Sequence, residues 1–383
     1  MKNLMLLVMG AFLVSSCLDD DDNNNNGNTI TSPVSTGAFV LNKGADGAAD
    51  GSLTYLDFET MAARQIEGIG AGPNDAYTKG DTIFIVNSSD NSIVVVDKKF
   101  SVIKRLSTTS EMGEAEGFCP RHITGYGNRI YFTTYGGYVG ILDAKSLEIS
   151  KEKYKVGSGP EGLCISGTST EPVLYVCNSD YGNGNASISR VSLSAAGGVE
   201  TITSDEIRNP QEIIAEGGSL YILDGGHYTD ENSLPQDAGL YRYYNGSVTQ
   251  LIADATNLGV GLVYMNGYAV GYYFVTINAP DENSDYSYST FNTYTGSRGT
   301  LRLTEDSGYE IFSPAAIAVD PITGNIAIAS YSKDPETGLA SKTLPGYVNM
   351  YGSSGMYIED SHIQTGIMPS FIGFILGTIT YTF

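Results

Sequence analysis

The chain has 383 residues, of which 41% are hydrophobic, and it contains 46 glycines and 27 tyrosines. This length accommodates two average domains or one large all-β domain, and the abundance of glycine and tyrosine is typical of a turn-rich β protein. The 21 basic and 43 acidic residues give a formal net charge of −22, which repels phosphate backbones and anionic membrane surfaces. The composition therefore argues against nucleic-acid binding.

Residues 1–16 form a predicted signal peptide. Lys2 precedes an apolar run from Leu4 to Val14, which is too short to cross a bilayer as a helix. The run ends in VSSC, which resembles a bacterial lipobox, whose cysteine is acylated and becomes the mature N-terminus. We therefore expect an exported protein that is lipidated at Cys17; an ordinary signal peptide followed by a chance cysteine is the alternative.

Residues 17–36 are predicted to be a solvated tether. Asp19–Asp22 and Asn23–Asn26 place four carboxylates before four amides, and such a segment has no apolar surface to bury. An acidic run directly after the acylated cysteine resembles the surface-export signal of lipoproteins from Bacteroidetes; a spacer without any address is the alternative. The folded domain is expected to comprise residues 37–383.

A repeated unit fills the folded part. Its first copy reads GPNDAYTKGDTIFIVNSSDNSIVVVD from Gly72, with a proline, a short strand, a turn and a second strand. Similar units begin at other prolines, and Val260 takes the place of the proline in one further copy. The prolines are Pro73, Pro120, Pro160, Pro210, Pro314 and Pro369. Units of roughly 40 to 55 residues with short strands and Gly, Asn and Asp turns are typical of β-propeller blades.

The predicted fold class is all-β, a seven-bladed β-propeller of four-stranded antiparallel blades. Inner strands include Cys164–Ser166, second strands Ile83–Val86 and third strands Ile93–Asp97. The segment GAFVLNKGADGAADGSLTYLDFE lacks a proline-led first strand, which Pro369–Phe374 supplies. Pairing of the N- and C-terminal strands is expected to close the ring and to remove exposed edges. The place of the final LGTITYTF stays open, because it competes for a second-strand position.

The segment IFIVNSSDNSIVVVD resembles the YVTN-type repeat, best at Asn87, Asn91 and Asp97 and less fully at Asn178 and Asn185. With the lipobox and the acidic run, it makes the chain similar to the YVTN-type propeller lipoproteins of Bacteroidetes. That group includes the surface lipoprotein that captures cobalamin for a TonB-dependent transporter. The resemblance implies an outer-membrane surface location, a TonB-dependent transporter as partner and a corrinoid as ligand, with no required cofactor. It carries no ligand motif over to individual residues.

In a propeller, the loops that enter the first strand of each blade and the loops between strands two and three open on the same face, named here the mouth face. The residues after the prolines should line the central channel on this face and are named the channel ring. They are Asn74, Asp75, Arg121, His122, Glu161, Gln211, Glu212, Gly261, Ala315 and Ser370. The polar members suit the orientation of a ligand by hydrogen bonds.

The loops between strands two and three are predicted to be short in the first blades and long in blades 4 to 6, and long loops in compact domains are usually functional. A predicted insertion in blade 5 carries Tyr272, Tyr273, Phe274, Tyr286, Tyr288, Phe291 and Tyr294. Tyrosine joins a stacking surface to a hydroxyl, which suits ligand recognition; anchoring of the loop on the blade rim is the alternative. The predicted ligand-binding residues are Asp75, Arg121, His122, Glu161, Glu212, His227, Tyr228, Tyr272, Tyr273, Tyr286, Tyr288 and Tyr294.

Several interpretations of His122 stay open. It could approach His227 over the channel, pair with Glu161 as acid and base, or join Glu212 as a metal ligand. Hydrogen bonding without catalysis is favoured, and no metal site is predicted. The acidic segment Asp281–Asp285 lacks the ligand spacing of an EF-hand, so a solvated loop tip is expected there.

Three cysteines follow Cys17, at positions 119, 164 and 177, without a zinc-binding spacing. Cys164 and Cys177 fall on neighbouring predicted strands, so a disulfide between them stays open. Free, buried thiols are the favoured interpretation.

Three classes of function are weighed. The favoured one is a non-enzymatic surface module that captures a small ligand, with a corrinoid as the most specific choice, and that contacts the membrane through its lipid anchor only. Glycan binding or a protein-interaction scaffold is the alternative, although the chain has no tryptophan. A lactonase-like metal-dependent hydrolase would need converging carboxylates and an activated water, and no signature of such a site is recognisable.

Overall fold

The computed structural model describes residues 29–194, 198–227, 235–253, 262–267, 271–278, 286–304 and 309–382; at 29, 262–267, 271–274, 278 and 382 it describes the backbone alone. These residues form 28 β-strands, one short α-helix and one 3₁₀ turn. The strands are arranged in seven four-stranded sheets whose neighbours run antiparallel. The predicted all-β, seven-bladed propeller is therefore confirmed.

The strands follow the chain blade by blade. The first three are β1 (Thr29–Asn42), β2 (Ser52–Asp57) and β3 (Ala63–Glu67). Blade 1 contains β4 (Pro73–Lys79), β5 (Thr82–Asn87), β6 (Ser92–Asp97) and β7 (Val102–Ser107), and α1 (Thr108–Met112) follows it. Blade 2 contains β8 (Pro120–Tyr126), β9 (Arg129–Thr134), β10 (Tyr138–Asp143) and β11 (Glu148–Lys155). Blade 3 contains β12 (Pro160–Gly167), β13 (Pro172–Asn178), β14 (Ser187–Ser192) and β15 (Val199–Ile202), with the 3₁₀ turn at Asp180–Gly182.

The remaining blades keep the same order. Blade 4 contains β16 (Pro210–Glu216), β17 (Ser219–Asp224), β18 (Gly239–Tyr244) and β19 (Ser247–Ala253). Blade 5 contains β20 (Leu262–Gly267), β21 (Gly271–Asn278), β22 (Ser287–Asn292) and β23 (Arg298–Thr300). Blade 6 contains β24 (Ser313–Val319), β25 (Ile326–Tyr331), β26 (Pro345–Tyr351) and β27 (Ile363–Ile367), and β28 (Pro369–Thr382) follows. In the part of the chain that is described, no helix has the length and apolar character needed to cross a membrane.

Blade 7 joins the two ends of the chain, as predicted. Its strand order is β28-β1-β2-β3, which makes the C-terminal strand the innermost. Ser370 Oγ donates to the carbonyl of Leu41 at 3.3 Å, and Thr36 Oγ1 donates to that of Ile375 at 3.1 Å. The final LGTITYTF does not compete for a second strand, because its residues up to Thr382 continue β28. The closed ring leaves no first or last blade with an open edge.

The predicted boundary of the tether is wrong, because β1 begins at Thr29, inside the segment 17–36. The chain divides into two compact units, residues 1–33 with 378–383 and residues 34–377. In the first unit the described residues are the ends of β1 and β28, and Thr31 Oγ1 lies 3.3 Å from Thr380 Oγ1. The second unit contains the remainder of the seven sheets. The predicted signal peptide and Cys17 lie outside the described residues.

The Asn and Asp positions of the repeat hold loops in place. Asn178, the last residue of β13, accepts from the N–H of Gly157 at 3.1 Å and donates to two hydroxyls of β14 at 3.1 and 2.9 Å. Asn91 has a φ of 54° and accepts from the N–H of Cys119 at 2.7 Å. Asp97 accepts two N–H bonds of 2.8 Å from the turn that follows it. These residues therefore satisfy backbone N–H groups of the turns and of neighbouring segments, a structural role.

The core consists of seven hydrophobic clusters of described residues, each between neighbouring blades. Phe84 of blade 1 meets Phe132 of blade 2 in one cluster, and Leu41 of blade 7 meets Ile85 of blade 1 in another. Gly140, opposite Phe132 in the same blade, leaves room for its ring, since a Cβ there would lie 2.2 Å from it. Burial of each large side chain stabilises the fold by roughly 1.5–3 kcal/mol, so the ring of clusters holds the blades, and their mouth-facing ends, in fixed positions.

Candidate ligand site at the channel mouth

A β-bulge in the innermost strand of several blades aims the channel-ring residues. In blade 1 the register passes from Pro73 opposite Asn87 to Asp75 opposite Val86, and in blade 2 it shifts after Pro120. The same shift follows the leading residues of the inner strands in blades 3, 4 and 6. A bulge bends the strand and redirects its side chains. The proline and the bulge together thus turn the next residues toward the channel, at the same level in successive blades.

His122 lies between carboxylates from the blades on both sides. Its Nδ1 is 3.3 Å from Asp75 Oδ2, and its Nε2 is 3.6 Å from Glu161 Oε2. Burial disfavours protonation, but the charge of Glu212 and the hydrogen bonds to Asp75 and Glu161 outweigh burial and raise the pKa of His122 to about 10. His122 is therefore an imidazolium near neutral pH and ties three blades together.

Arg121 is held rigidly beside His122. Its Nε donates to Glu161 Oε2 at 3.0 Å and its Nη1 donates to Asn74 Oδ1 at 3.1 Å. The guanidinium carbon lies 4.9 Å from the centre of the Tyr135 ring, and the Tyr135 hydroxyl donates to the other oxygen of Glu161. Burial would raise the pKa of Glu161, but hydrogen bonding from His122 and the charge of Arg121 hold that pKa below its usual value. Glu161 is therefore ionised and contacts three side chains, those of Arg121, His122 and Tyr135.

Glu212 is the other acidic member of the ring. Burial raises its pKa, and the charges of Asp75 and Glu161 raise it further against the opposing charge of His122. Gly162 leaves room for this carboxylate, since a Cβ at residue 162 would lie 3.3 Å from Glu212 Oε2. A carboxyl group with a raised pKa can donate a hydrogen bond as well as accept one.

The structure thus brings together five of the predicted site residues, Asp75, Arg121, His122, Glu161 and Glu212. Their positions on the channel ring are as expected from the repeat. Their role in ligand binding stays a prediction. The partners of His122 are the carboxylates of neighbouring blades, which agrees with the favoured hydrogen-bonding interpretation.

His227 does not join this cluster. Its Nδ1 lies 3.6 Å from Asp237 Oδ2, within its own loop, and its backbone pairs with that of Gln236. Of the interpretations left open for His122, an approach to His227 is not seen among the contacts of the two residues, because the partners of His122 are Asp75 and Glu161. Tyr228, also predicted as a ligand contact, and Gly261 of the ring lie outside the described residues.

The aromatic insertion predicted in blade 5 is mostly strand. β21 and β22 run through it and leave only residues 279–286 between them. Tyr288 and Phe291 are 6% and 7% exposed and belong to hydrophobic clusters, so they pack in the core. Tyr294 is 86% exposed, but it lies in the turn between β22 and β23, which opens away from the mouth face. The prediction of ligand contacts at the mouth is therefore wrong for Tyr288 and Tyr294.

The other tyrosines of blade 5 have different positions. Tyr286 does lie on the mouth face, where its hydroxyl is 3.2 Å from Ser313 Oγ at the start of blade 6. Tyr272 and Tyr273 lie at the beginning of β21, with backbones paired to Asn266 and Met265 across the hairpin from β20. That hairpin opens on the face opposite the mouth. The acidic segment 281–285 lies outside the described residues.

The long loops of blades 4 and 6 are confirmed as insertions, since 225–238 and 332–344 separate their second and third strands. Three aromatic or basic residues near short loops of the mouth face were not predicted from the sequence. Tyr135 directly follows β9, Tyr181 lies in the 3₁₀ turn of blade 3, and Lys43 directly follows β1. All three lie on the mouth face, next to Arg121 or within its electrostatic reach. Their common position just after a second strand was a signal that a comparison of loop lengths overlooked.

Among the described residues, no group of three or more His, Cys, Asp and Glu side chains has a geometry that could hold a metal ion. Cys119, Cys164 and Cys177 are free thiols. Burial raises the pKa of the Cys164 thiol to about 12 and that of Cys119 above its usual value. The cysteines are therefore free, protonated thiols at neutral pH, as favoured from the sequence, but only Cys177 is fully buried, whereas Cys119 and Cys164 are partly exposed.

Seven closed blades with a ring of polar residues at one end define the chain as a β-propeller with a polar channel mouth. Solved structures with the same fold include a candidate 6-phosphogluconolactonase from Bacteroides uniformis ATCC 8492, with 13% identity, coverage of 88% of this chain and 99% of that chain, and a TM-score of 0.59. Its counterpart from Bacteroides fragilis NCTC 9343 has 13% identity, coverage of 89% and 98%, and a TM-score of 0.58.

A streptogramin B lyase structure is also similar, with 14% identity, coverage of 90% of this chain and 98% of that chain, and a TM-score of 0.52. At these identities the likeness shows the propeller fold alone. No protein-family model matches the chain, and no curated protein sequence matches it significantly.

Proposed function

We propose that the protein is a non-enzymatic binding module that holds a small ligand at the channel mouth. The observation that carries this proposal is the pre-organised network around Glu161, which fixes Arg121 and Tyr135 on the mouth face. A site whose polar groups are already oriented binds without the cost of ordering them.

The state of the central histidine favours binding over hydrolysis. A general base must be able to accept a proton near neutral pH. His122, with a pKa raised to about 10 by Glu212, Asp75 and Glu161 against burial, already holds that proton. Its two ring nitrogens face carboxylates at 3.3 and 3.6 Å rather than the open channel. The same atoms that would perform catalysis are therefore used to connect blades.

The cellular setting is part of the proposal. The lipobox-like VSSC and the acidic run after Cys17 support attachment at the outer surface of the outer membrane, and a TonB-dependent transporter is the partner that the sequence resemblance implies. A corrinoid is the ligand to test first, because of that resemblance and because the rings of Tyr135 and Tyr181, 5.1 Å apart between centroids, adjoin fixed hydrogen-bond donors.

The test compares two exposed tyrosines on opposite faces. Binding of cobalamin, cobinamide and a panel of oligosaccharides to the full chain is measured by titration calorimetry for the wild type, Tyr181→Ala and the control Tyr294→Ala. We expect Tyr181→Ala to weaken binding about tenfold and Tyr294→Ala to leave it unchanged. Equal effects of the two substitutions, or lactone hydrolysis that disappears in His122→Gln, would overturn the proposal.

A further inference from the structure

Arg121 has hydrogen-bond donors that its contacts within the protein do not use. Nε is used by Glu161 and Nη1 by Asn74, whereas Nη2 has no hydrogen-bond partner among the described residues. The side chain keeps 22% of its surface exposed. Because two contacts and the Tyr135 ring fix the plane of the guanidinium, its free edge has a defined direction. A planar, fixed guanidinium edge suits the two oxygens of a carboxylate or phosphate.

Lys43 places a second cation on the mouth face, directly after β1 of blade 7. Its backbone N–H donates to the carbonyl of Met368 at 2.9 Å, which fixes the start of the loop after β1. Burial lowers the pKa of Lys43, and the charge of Arg121 lowers it further, against the opposing charges of Cys119 and Glu161. The ammonium has neither a hydrogen bond nor an ion pair to any residue that the structure describes. Of these two cations on the mouth face, Arg121 is paired with Glu161, whereas Lys43 has no carboxylate partner among the described residues, in a chain of net charge −22.

An exposed ring lies beside Tyr135, the ring on which the Arg121 guanidinium packs. Tyr181 is 52% exposed, and its ring meets the edge of Tyr135 at an interplanar angle of 74°. Asp180 and Tyr181 have φ values of 46° and 54°, a left-handed conformation that is strained for residues other than glycine. The Asp180 carboxylate holds the loop by accepting from the N–H and the amide of Asn185 at 3.0 and 3.1 Å. The strained turn therefore keeps a large apolar ring in solvent at the edge of the mouth.

We propose that the mouth contains a subsite for an anionic group carried on a flat ring: Arg121 and Lys43 bind the carboxylate or phosphate, and Tyr181 with Tyr135 contacts the ring. The subsite rests on the proposed function and names the chemistry of its ligand. The bound anion supplies the countercharge that Lys43 lacks, and the ring covers the exposed tyrosine.

The probes are 2-naphthoate, 2-naphthyl phosphate and the neutral 2-naphthamide, titrated calorimetrically into the full chain at pH 7. We expect the two anions to bind at least about tenfold more tightly than the amide, and the stronger of the two identifies the anionic group. Lys43→Met should remove most of this preference. Tyr181→Ala should weaken all three probes, and the control Tyr294→Ala none.

Arg121→Met leaves Glu161 buried without its cation, so that this variant can fail to fold; the double variant Arg121→Met, Glu161→Gln removes both charges and is expected to lose the preference for anions. An equal affinity for anions and amide, no binding of any probe, or an unchanged preference in Lys43→Met would overturn the subsite. If the subsite is overturned in this way but a corrinoid or oligosaccharide binds in a Tyr181-dependent manner, the proposed binding function stands without the anionic subsite. Lactone turnover with intact anion preference would instead overturn the function and keep the subsite.

Discussion

Raising the pH from 7 to 9 is expected to destabilise the protein through His122. The pKa of His122 in the folded chain is about 10, above its ordinary value of 6.5. A group whose pKa rises on folding contributes its full stabilisation below the unfolded value and loses it as the pH passes through the folded value. The stabilisation by His122 is therefore complete below pH 6.5 and declines toward pH 10.

The size of the effect follows from proton binding. Between pH 7 and 9 the folded state keeps the proton of His122 and the unfolded state has lost it. Each such proton lowers the free energy of unfolding by ~1.4 kcal/mol per pH unit, which amounts to about 3 kcal/mol over the interval. The groups that face the imidazolium are the carboxyls of Asp75, Glu161 and Glu212, from three different blades.

The assay is urea unfolding followed by far-ultraviolet circular dichroism at half-unit steps from pH 6 to 9.5. His122→Gln removes the titrating group and should flatten the decline relative to the wild type, whereas His227→Gln, outside the cluster, should keep it. The comparison of slopes separates His122 and the carboxyls coupled to it from the groups that titrate independently of it. Parallel pH profiles for the wild type and His122→Gln would refute the charged bridge between the blades.

Three further outcomes are expected. Leu41→Ala, at a fully buried position of the closing blade, should lower the free energy of unfolding by about 2–5 kcal/mol. Leu376→Ala, 51% exposed in β28, should change it by less than about 0.5 kcal/mol. Similar urea midpoints for the two variants would contradict the closure by β28. Asn178→Ala should cost about 1–3 kcal/mol because its hydrogen bonds are buried, against no measurable change for exposed Asn183→Ala, and thermal denaturation of both variants checks this. Cys17→Ala should release the protein from the membrane fraction, and retention there would disprove the lipobox.

Much of the architecture was readable from local sequence. The proline, the strand-length apolar runs and the Asn and Asp turns recur at the spacing of a blade. Each of these signals depends only on residues a few positions apart in the chain. The blade count, the closure of the ring and the positions of Asp75, His122 and Glu161 followed from this periodicity. The N-terminal segment lacks an inner strand of its own, and a blade needs one. This gap predicted that the strand beginning at Pro369 completes the blade.

Contacts between blades were not readable in this way. His122 bridges two carboxylates because β-bulges direct side chains toward one another from segments about one repeat apart. The local sequence of each segment does not show whether these side chains meet. The prediction for Tyr288 was wrong for a related reason: tyrosine-rich sequence suits both a strand and a loop, and pairing with neighbouring strands placed Tyr288 in β22. The same pairing placed Tyr294 in the turn after β22, away from the mouth face.

The composition and repeats thus specify a closed β-propeller, since its strands and turns are encoded locally in every copy. The tertiary structure alone assembles the mouth, in which Lys43, Arg121 and Tyr181 come from three different blades. The pairing of charges and the contacts between rings depend on distances in space, which the position of a residue after a proline or a second strand does not give.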